Sequence, residues 1–241
     1  MTRESLAILA GGYGTRATEL TKGAHKSLIR LPDGLSIIER MLTQAKENNI
    51  EKAYIVTDRS QKTGVYEAVV DITSSKNIEA ISLDQDMSQF YGTMFALALV
   101  CSSVPKDENV ITFEGDLVIS DVAAKKVFET KSNTFIVDDL PKYDPESMKV
   151  VIAKGKIRQF SKQIIGYPEF CGIVHLDHKF RKMYNLEAKN VKSKNRYYEE
   201  VFNRLASLGV EFPYLVISES AWNEIDNQND YIETTHKLRA W

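Results

Sequence analysis

The sequence predicts an α/β fold: a three-layer α/β/α sandwich around a mixed, mostly parallel sheet. Three observations carry this. Short apolar runs that read as buried strands alternate with helix-period segments through the first half of the chain. A glycine-rich turn directly follows the first of those runs. At 241 residues, 43% hydrophobic and 27% charged, the chain can bury a full core and has an ordinary globular composition.

Residues 5–10 form the first apolar run and read as a buried strand. Residues 27–31 read as a short extended piece, ended by the turn signal Pro32-Asp33-Gly34. Leu35, Ile38, Met41, Leu42 and Ala45 recur at helical spacing, with a stop near Asn48-Asn49. Residues 53–57 read as a strand, 65–72 as a helix, 78–83 as a strand, 93–101 as an apolar helix and 109–113 as another buried strand. In the second half, 149–153 and 157–160 flank Gly155 as a hairpin, and 169–175 is a further strand. Amphipathic helices are expected around 179–188 and 197–208, a late strand at 212–217 and a terminal helix at 229–238. No linker, repeat or low-complexity segment interrupts the chain. One domain spanning 1–241 is the economical reading. It divides into a first half of about 1–140 and a second of about 141–241.

The net charge of −2 argues against a nucleic-acid or anionic-membrane surface. No apolar run approaches the ~18 residues that span a bilayer. Met1-Thr2-Arg3-Glu4 does not open a signal peptide. Cys101 and Cys171 lie in apolar neighbourhoods without metal-ligand spacing and read as reduced core thiols. A cytoplasmic protein without membrane insertion is expected. Oligomeric state is left open, a homo-oligomer included.

The chemistry is concentrated in Leu9-Ala10-Gly11-Gly12-Tyr13-Gly14-Thr15-Arg16, followed by Lys26. Glycines let the backbone turn tightly and approach a ligand closely. Successive N–H groups in such a turn make an anion-binding concavity. Arg16 adds a planar cationic fork and Lys26 a compact mobile charge, so the stretch suits a polyphosphate. Gly12-x-Gly14-x-x-Ala17 also fits a loose dinucleotide fingerprint, but the acidic strand end that such a site needs about 20 residues later is missing, since Asp58 comes far too late. A Walker loop is excluded because no Gly-Lys-Ser/Thr is present.

Two acidic stations stand far apart in sequence. Glu114-Gly115-Asp116 closes a buried strand, and Trp222-Asn223-Glu224-Ile225-Asp226 would put Glu224 and Asp226 on one face with Ile225 turned to the core. Hard oxygen ligands beyond a strand's carboxyl end suit Mg²⁺, which takes one or two carboxylates plus phosphate oxygens and water.

Together these residues resemble the sugar-phosphate nucleotidyltransferase superfamily, the glycosyltransferase-A-like pyrophosphorylases. The resemblance spans nearly the whole chain: the glycine signature, Lys26, Glu114-Gly115-Asp116 and Trp222-Asn223-Glu224-Ile225-Asp226 occur in the family's order. His25-Lys26-Ser27-Leu28 and Glu224-Ile225-Asp226 with Asp230-Tyr231 look most like the choline-phosphate cytidylyltransferase branch, which makes CDP-choline or related CDP-linked amino-alcohols and aminoalkylphosphonates. The resemblance implies a Rossmann-like sheet of the nucleotide-diphospho-sugar transferase type. It implies that Leu9, Ala10, Gly11, Gly12, Gly14, Thr15, Arg16 and Lys26 hold the nucleotide, with base selection near Asp86, Gly92 and Thr93, and that Asp116 and Asp226 hold Mg²⁺. Three departures stand out. His25 replaces the proline that precedes the lysine in many sugar-phosphate members. Glu114 stands where the cytidylyl branch often has aspartate. Tyr91-Gly92-Thr93-Met94-Phe95-Ala96 is similar to the Gly-Thr-Ala-x-Ala of the sugar-1-phosphate branch.

The activity implied joins CTP to a small phosphorylated amino-alcohol or phosphonate. A phosphate oxygen of the acceptor attacks the α-phosphorus and pyrophosphate leaves, so no Ser/His/Asp constellation is required. Arg16, Lys26 and Lys162, the last in Phe160-Ser161-Lys162, are the expected catalytic cations. Tyr197-Tyr198-Glu199-Glu200 offers an aromatic face and a carboxylate for a cationic head. Glu169 and Gly172 resemble an acceptor-loop motif. The acceptor site is therefore expected at Glu169, Gly172, Tyr197, Tyr198 and Glu199. A sugar-1-phosphate nucleotidyltransferase and a non-catalytic nucleotide-binding regulatory protein are the alternatives.

Overall fold

The computed structural model describes residues 3–11, 18–21, 24–57, 78–84, 92–192 and 197–241. The helix expected at 65–72 lies outside them.

Strand β1 (Arg3–Leu9) is buried on both faces from Ser5 onward, which is why it reads as one continuous apolar run rather than an alternating one. It pairs in parallel with β2 (Lys52–Thr57) on one side and β4 (Glu108–Glu114) on the other. Strand β3 (Glu79–Asp84) extends the sheet beyond β2. On the other wing, β9 (Tyr167–Leu176) runs antiparallel to both β4 and β6 (Thr134–Lys142), and β10 (Tyr214–Val216) is parallel to β6. The order is β10-β6-β9-β4-β1-β2-β3. The hairpin of β7 (Lys149–Ala153) and β8 (Lys156–Ser161) hangs from β9 at Lys149–Glu169. This is the mixed, mostly parallel sheet that the sequence predicts.

Helices cover both faces. Alternate β1 side chains Leu6 and Ile8 pack with α2 (Ile37–Glu47) and α4 (Asp121–Phe128), while Ala7 and Leu9 pack with α3 (Thr93–Ser103), α5 (His178–Ala188) and α6 (Tyr198–Ser207). A four-residue α1 (Thr18–Thr21) precedes them, and α7 (Gln228–Leu238) ends the chain on the first face. The starts of these helices are fixed by local chemistry. Ser36 and Glu39 form a capping box at α2, Ser120 caps α4 and Asp177 caps α5. No helix among the described residues is long and apolar enough to cross a membrane.

Two features differ from the sequence reading. Residues 27–31 are not an extended piece: Lys26–Leu28 is a 3₁₀ turn, because the His25 ring accepts from the Ser27 N–H and closes the chain locally. The sequence reading also leaves out β5 (Leu117–Ile119), α4 and β6. Strand β5 forms a separate antiparallel ribbon with β11 (Trp222–Glu224).

Candidate functional site

The site is built beyond the carboxyl ends of β1 and β4. Leu9 and Glu114 are register partners at the ends of these strands, and the Gly115 N–H donates to the Leu9 carbonyl at 3.1 Å. A Cβ at residue 115 would lie 2.9 Å from that carbonyl oxygen, so only glycine lets β4 leave across the start of the glycine-rich turn. Asp116 follows directly. The β5–β11 ribbon then brings a remote segment alongside: Glu224 pairs with Leu117, and the Ile225 N–H donates to the Asp116 carbonyl at 3.1 Å. Ile225 is fully buried, which turns Asp226 out beside Asp116. The Asp226 backbone is held in turn, its N–H donating to Asp230 Oδ2 at 2.9 Å.

Lys26 enters from the 3₁₀ turn. Its Nζ donates to Asp116 Oδ2 and, at 3.1 Å, to Asp226 Oδ1. Burial works against the ammonium, but the charges of Asp116 and then Asp226 outweigh it and hold Lys26 above the ordinary lysine value. The convergence of Lys26, Asp116 and Asp226, the geometric premise of the sequence reading, is therefore present. The second Asp116 oxygen, Oδ1, is buried and has no hydrogen-bond partner among the described residues.

Two pockets meet at Lys26 and Asp116, and Asp226 lines the larger of them. The smaller, of about 120 Å³, is walled by Leu9, Gly11, Gly92, Thr93 and Ala96, with His25 at its edge. Ala10 is buried behind it. The larger cleft, of about 430 Å³, opens on the other side and contains Glu169, Gly172, Tyr197, Glu199 and Lys162. Lys26, Thr93, Glu114 and Asp116 border both. Gly12, Gly14, Thr15, Arg16 and Asp86 lie outside the described residues.

The cleft is lined with carboxyl groups, and burial makes them harder to ionise. Desolvation pushes Glu114 up to about 7, helped by the charge of Asp116. It pushes Glu169 up to about 7, Glu199 up to about 8 with help from Glu114, and Glu224 well above its ordinary value. One Glu199 oxygen is buried and has no hydrogen-bond partner among the described residues. Such groups resist ionisation and gain from any cation that enters.

Tyr198 requires a correction. The sequence reading sets it against the acceptor beside Tyr197, but its ring is buried among Phe170 and Phe202, and its hydroxyl donates to Glu114 Oε1. The cause is helical phase: Tyr198, Val201, Phe202 and Leu205 form the buried stripe of α6, leaving Tyr197 half-exposed at its start. The Lys162 ammonium stands 5.4 Å over the Tyr197 ring. Gly172 keeps its place at the cleft and has a further part there. At φ +66°, a Cβ would sit 3.2 Å from Glu114 Cγ, so the glycine clears room for that carboxylate.

The sequence reading missed Lys142, which ends β6 inside the cleft. Its ammonium meets Asp138 at 3.1 Å, Glu169 and Glu219 at 3.8 Å, and the Trp222 ring. Pro141 and the pair Asp138-Asp139 hide this strand from any alternation test.

Lys26 and the paired carboxylates lie beyond the carboxyl ends of parallel strands, where open α/β sheets bind ligands. The chain belongs to the nucleotidyl transferase family, whose model matches residues 6–160, and is a nucleotidyltransferase. No protein of curated function matches it in sequence. Among solved structures, the inositol-1-phosphate CTP transferase from T. maritima is similar, with a TM-score of 0.80 at 20% identity over 99% of this chain and 97% of that one. A Bacillus anthracis protein described as a glucose-1-phosphate thymidylyltransferase gives 0.77 at 20% identity over 99% and 96%. The CTP:phosphocholine cytidylyltransferase from Streptococcus pneumoniae gives 0.76 at 16% identity over 98% and 99%. At these identities the likeness establishes the fold alone, the Rossmann-like α/β fold that these nucleotidyltransferases share.

Proposed function

We propose that the protein is a Mg²⁺-dependent cytidylyltransferase that joins CTP to a small phosphorylated amino-alcohol or phosphonate, releasing pyrophosphate. The observation that carries this is the meeting of the two pockets at Lys26 and Asp116, with Asp226 beside them on the wall of the larger cleft. The smaller pocket takes the nucleotide against Leu9, Gly11, Gly92 and Thr93, with the remaining signature residues Ala10, Gly12, Gly14, Thr15 and Arg16 around its phosphates and Asp86 near the base. The acidic cleft takes the acceptor. This gives residues 1–140 the nucleotide and 141–241 the acceptor, with Asp226 reaching back across the division.

The residues present fit Mg²⁺. Asp116 and Asp226 are two adjacent hard-oxygen donors, and the buried Asp116 Oδ1 lacks a partner among the described residues. Among the described residues no three acidic, histidine or cysteine side chains form a ready-made cage, which suits an ion completed by phosphate and water. When bound, Mg²⁺ would neutralise charge on the triphosphate at the reacting phosphorus.

The chain's own residues do the rest. An acceptor phosphate oxygen forms a bond to the α-phosphorus as the bond to the bridging oxygen breaks, and pyrophosphate leaves in line. The attacking group is already anionic, so no side chain has to remove a proton. Lys26 and Arg16 balance the triphosphate, and Lys162 balances the acceptor phosphate. Tyr197, Glu199 and Glu169 receive the cationic end of the acceptor. Gain from an aromatic face in such a desolvated site is on the order of 2 kcal/mol. Buried, unpaired Cys101 and Cys171 fit a reducing cytoplasm.

A sugar 1-phosphate acceptor is the second reading, favoured by Gly92 and Thr93 at the smaller pocket. One assay separates the two: pyrophosphate release with each of four triphosphates, crossed with phosphocholine, phosphoethanolamine, 2-aminoethylphosphonate, inositol 1-phosphate and glucose 1-phosphate. Turnover with CTP and a cationic acceptor is expected. Turnover with inositol or glucose phosphate alone would replace this reading with the polyol one, and none with any pair would favour a regulatory protein.

A further inference from the structure

Lys26 makes its two ion pairs with the same two carboxylates that the proposed function gives to the metal, and the role inferred for it rests on that assignment. An ammonium seated between these two carboxylates opposes a divalent cation at the same pair, because cations a few ångströms apart repel strongly where solvent screening is weak. Screening is weak here: the Lys26 and Asp116 side chains are only 18% and 7% exposed. We propose that Lys26 is a built-in counter-ion that keeps the metal seat shut until a triphosphate offers its ammonium another anion.

Three features of the geometry support this. The Lys26 backbone is pinned by the 3₁₀ turn, where the His25 ring accepts from the Ser27 N–H at 3.1 Å, so release requires only the flexible four-carbon side chain to swing. Lys26 borders the smaller pocket as well as the acidic cleft, so its ammonium can exchange one pocket's anions for those of the other without crossing the protein. Among the described residues the pairing also leaves Asp116 Oδ1 unpartnered, so the lysine satisfies the seat only in part and can be outcompeted. A divalent ion alone must draw the ammonium out of both of its ion pairs without bringing an anion to replace them. An ion that comes with a triphosphate supplies that charge. Metal and nucleotide therefore bind with positive coupling, and the coupling is the same in both directions.

The test is direct Mn²⁺ binding, read by electron paramagnetic resonance on the full-length protein. For the wild type, binding of Mn²⁺ alone is expected to be at least about tenfold weaker than with CTP present, a coupling within the ordinary range. Lys26→Met, which keeps the stem and removes the charge, is expected to bind Mn²⁺ alone at least about tenfold more tightly than the wild type. Adding Asp116→Asn to that variant should abolish the gain. Lys26→Gln serves in its place if circular dichroism shows that the methionine variant is misfolded. Equal Mn²⁺ affinity in the wild type and both Lys26 variants would overturn the inference while leaving the metal assignment standing, provided that Mn²⁺ binds the wild type with CTP. No Mn²⁺ binding to any form, with or without CTP, would remove the metal assignment and the inference with it.

Discussion

At the scale of single residues, the site depends on a few side chains whose partners are all charged or buried. Lys26 and Asp116 face each other in a poorly solvated pocket. Lys26→Ala and Asp116→Asn are each expected to lower kcat by about 10²–10³, the loss typical of one electrostatic contact to a developing transition state. Steady-state kinetics on variants with native circular-dichroism spectra would check this, and near-normal turnover in either would remove that residue from the chemistry. Tyr198 acts differently from what its place beside Tyr197 suggests. Its hydroxyl supplies a hydrogen bond to Glu114, a carboxylate already costly to bury. Tyr198→Phe should therefore destabilise the fold by about 1–3 kcal/mol, the range for stranding a buried acceptor, while the acceptor KM changes little. Urea unfolding beside acceptor kinetics separates the two. A raised acceptor KM with unchanged stability would return the ring to the cleft wall.

At the scale of elements, legibility in the sequence depends on length and on burial. Runs such as 53–57 and 109–113 are readable because strands buried on both faces are apolar at nearly every position. The ribbon that unites Asp116 with Asp226 is not: β5 and β11 are three residues each, too short to show a period. Their pairing joins segments about a hundred residues apart, which no local pattern reveals. The acidic residues themselves are legible as types, and their meeting is inferred through family likeness rather than read from spacing. Tyr198 is misplaced because two adjacent tyrosines look alike until the phase of α6 is known. The ribbon's hold on Asp226 passes through the start of α7, where Asp230 completes a capping box with Asn227 and accepts from the N–H groups of Asp226 and Asn227. Asp230→Ala should cost about 1 kcal/mol as a lost cap. It should also lower kcat well beyond what Asn227→Ala does, since it is the Asp230 carboxylate that accepts from the Asp226 N–H. Equal kinetic effects from the two substitutions would reduce Asp230 to an ordinary cap.

At the scale of the whole molecule, the fold gathers acidic groups from β4, β9, α6 and β11 into one cleft, and that concentration has a cost that depends on pH. Glu169 and Glu199 are desolvated, with folded-state values of about 7 and about 8 against an ordinary carboxylate value near 4.5. A group whose value is raised on folding binds more protons in the folded state, so stability falls as pH rises through the interval between the two values. The window here runs from about 4.5 to 8. Carboxylates held below their ordinary value by partners, such as Glu108 beside Ser5, Tyr54 and Lys52, act oppositely but only in more acidic solution. Between pH 6 and 8.5 the cleft decides the sign, and the protein should melt at a higher temperature at pH 6. Replacing Glu169 or Glu199 by Gln keeps the shape and removes the titration, so each variant should flatten that slope and gain most at pH 8.5. Thermal melts of the three proteins across this range would show it. A melting temperature that rises from pH 6 to 8.5 in the wild type, or a slope unchanged in both variants, would mean that the cleft carboxylates are solvated and ionised. The same burial that makes the cleft costly at high pH is what would make an incoming cation worth binding.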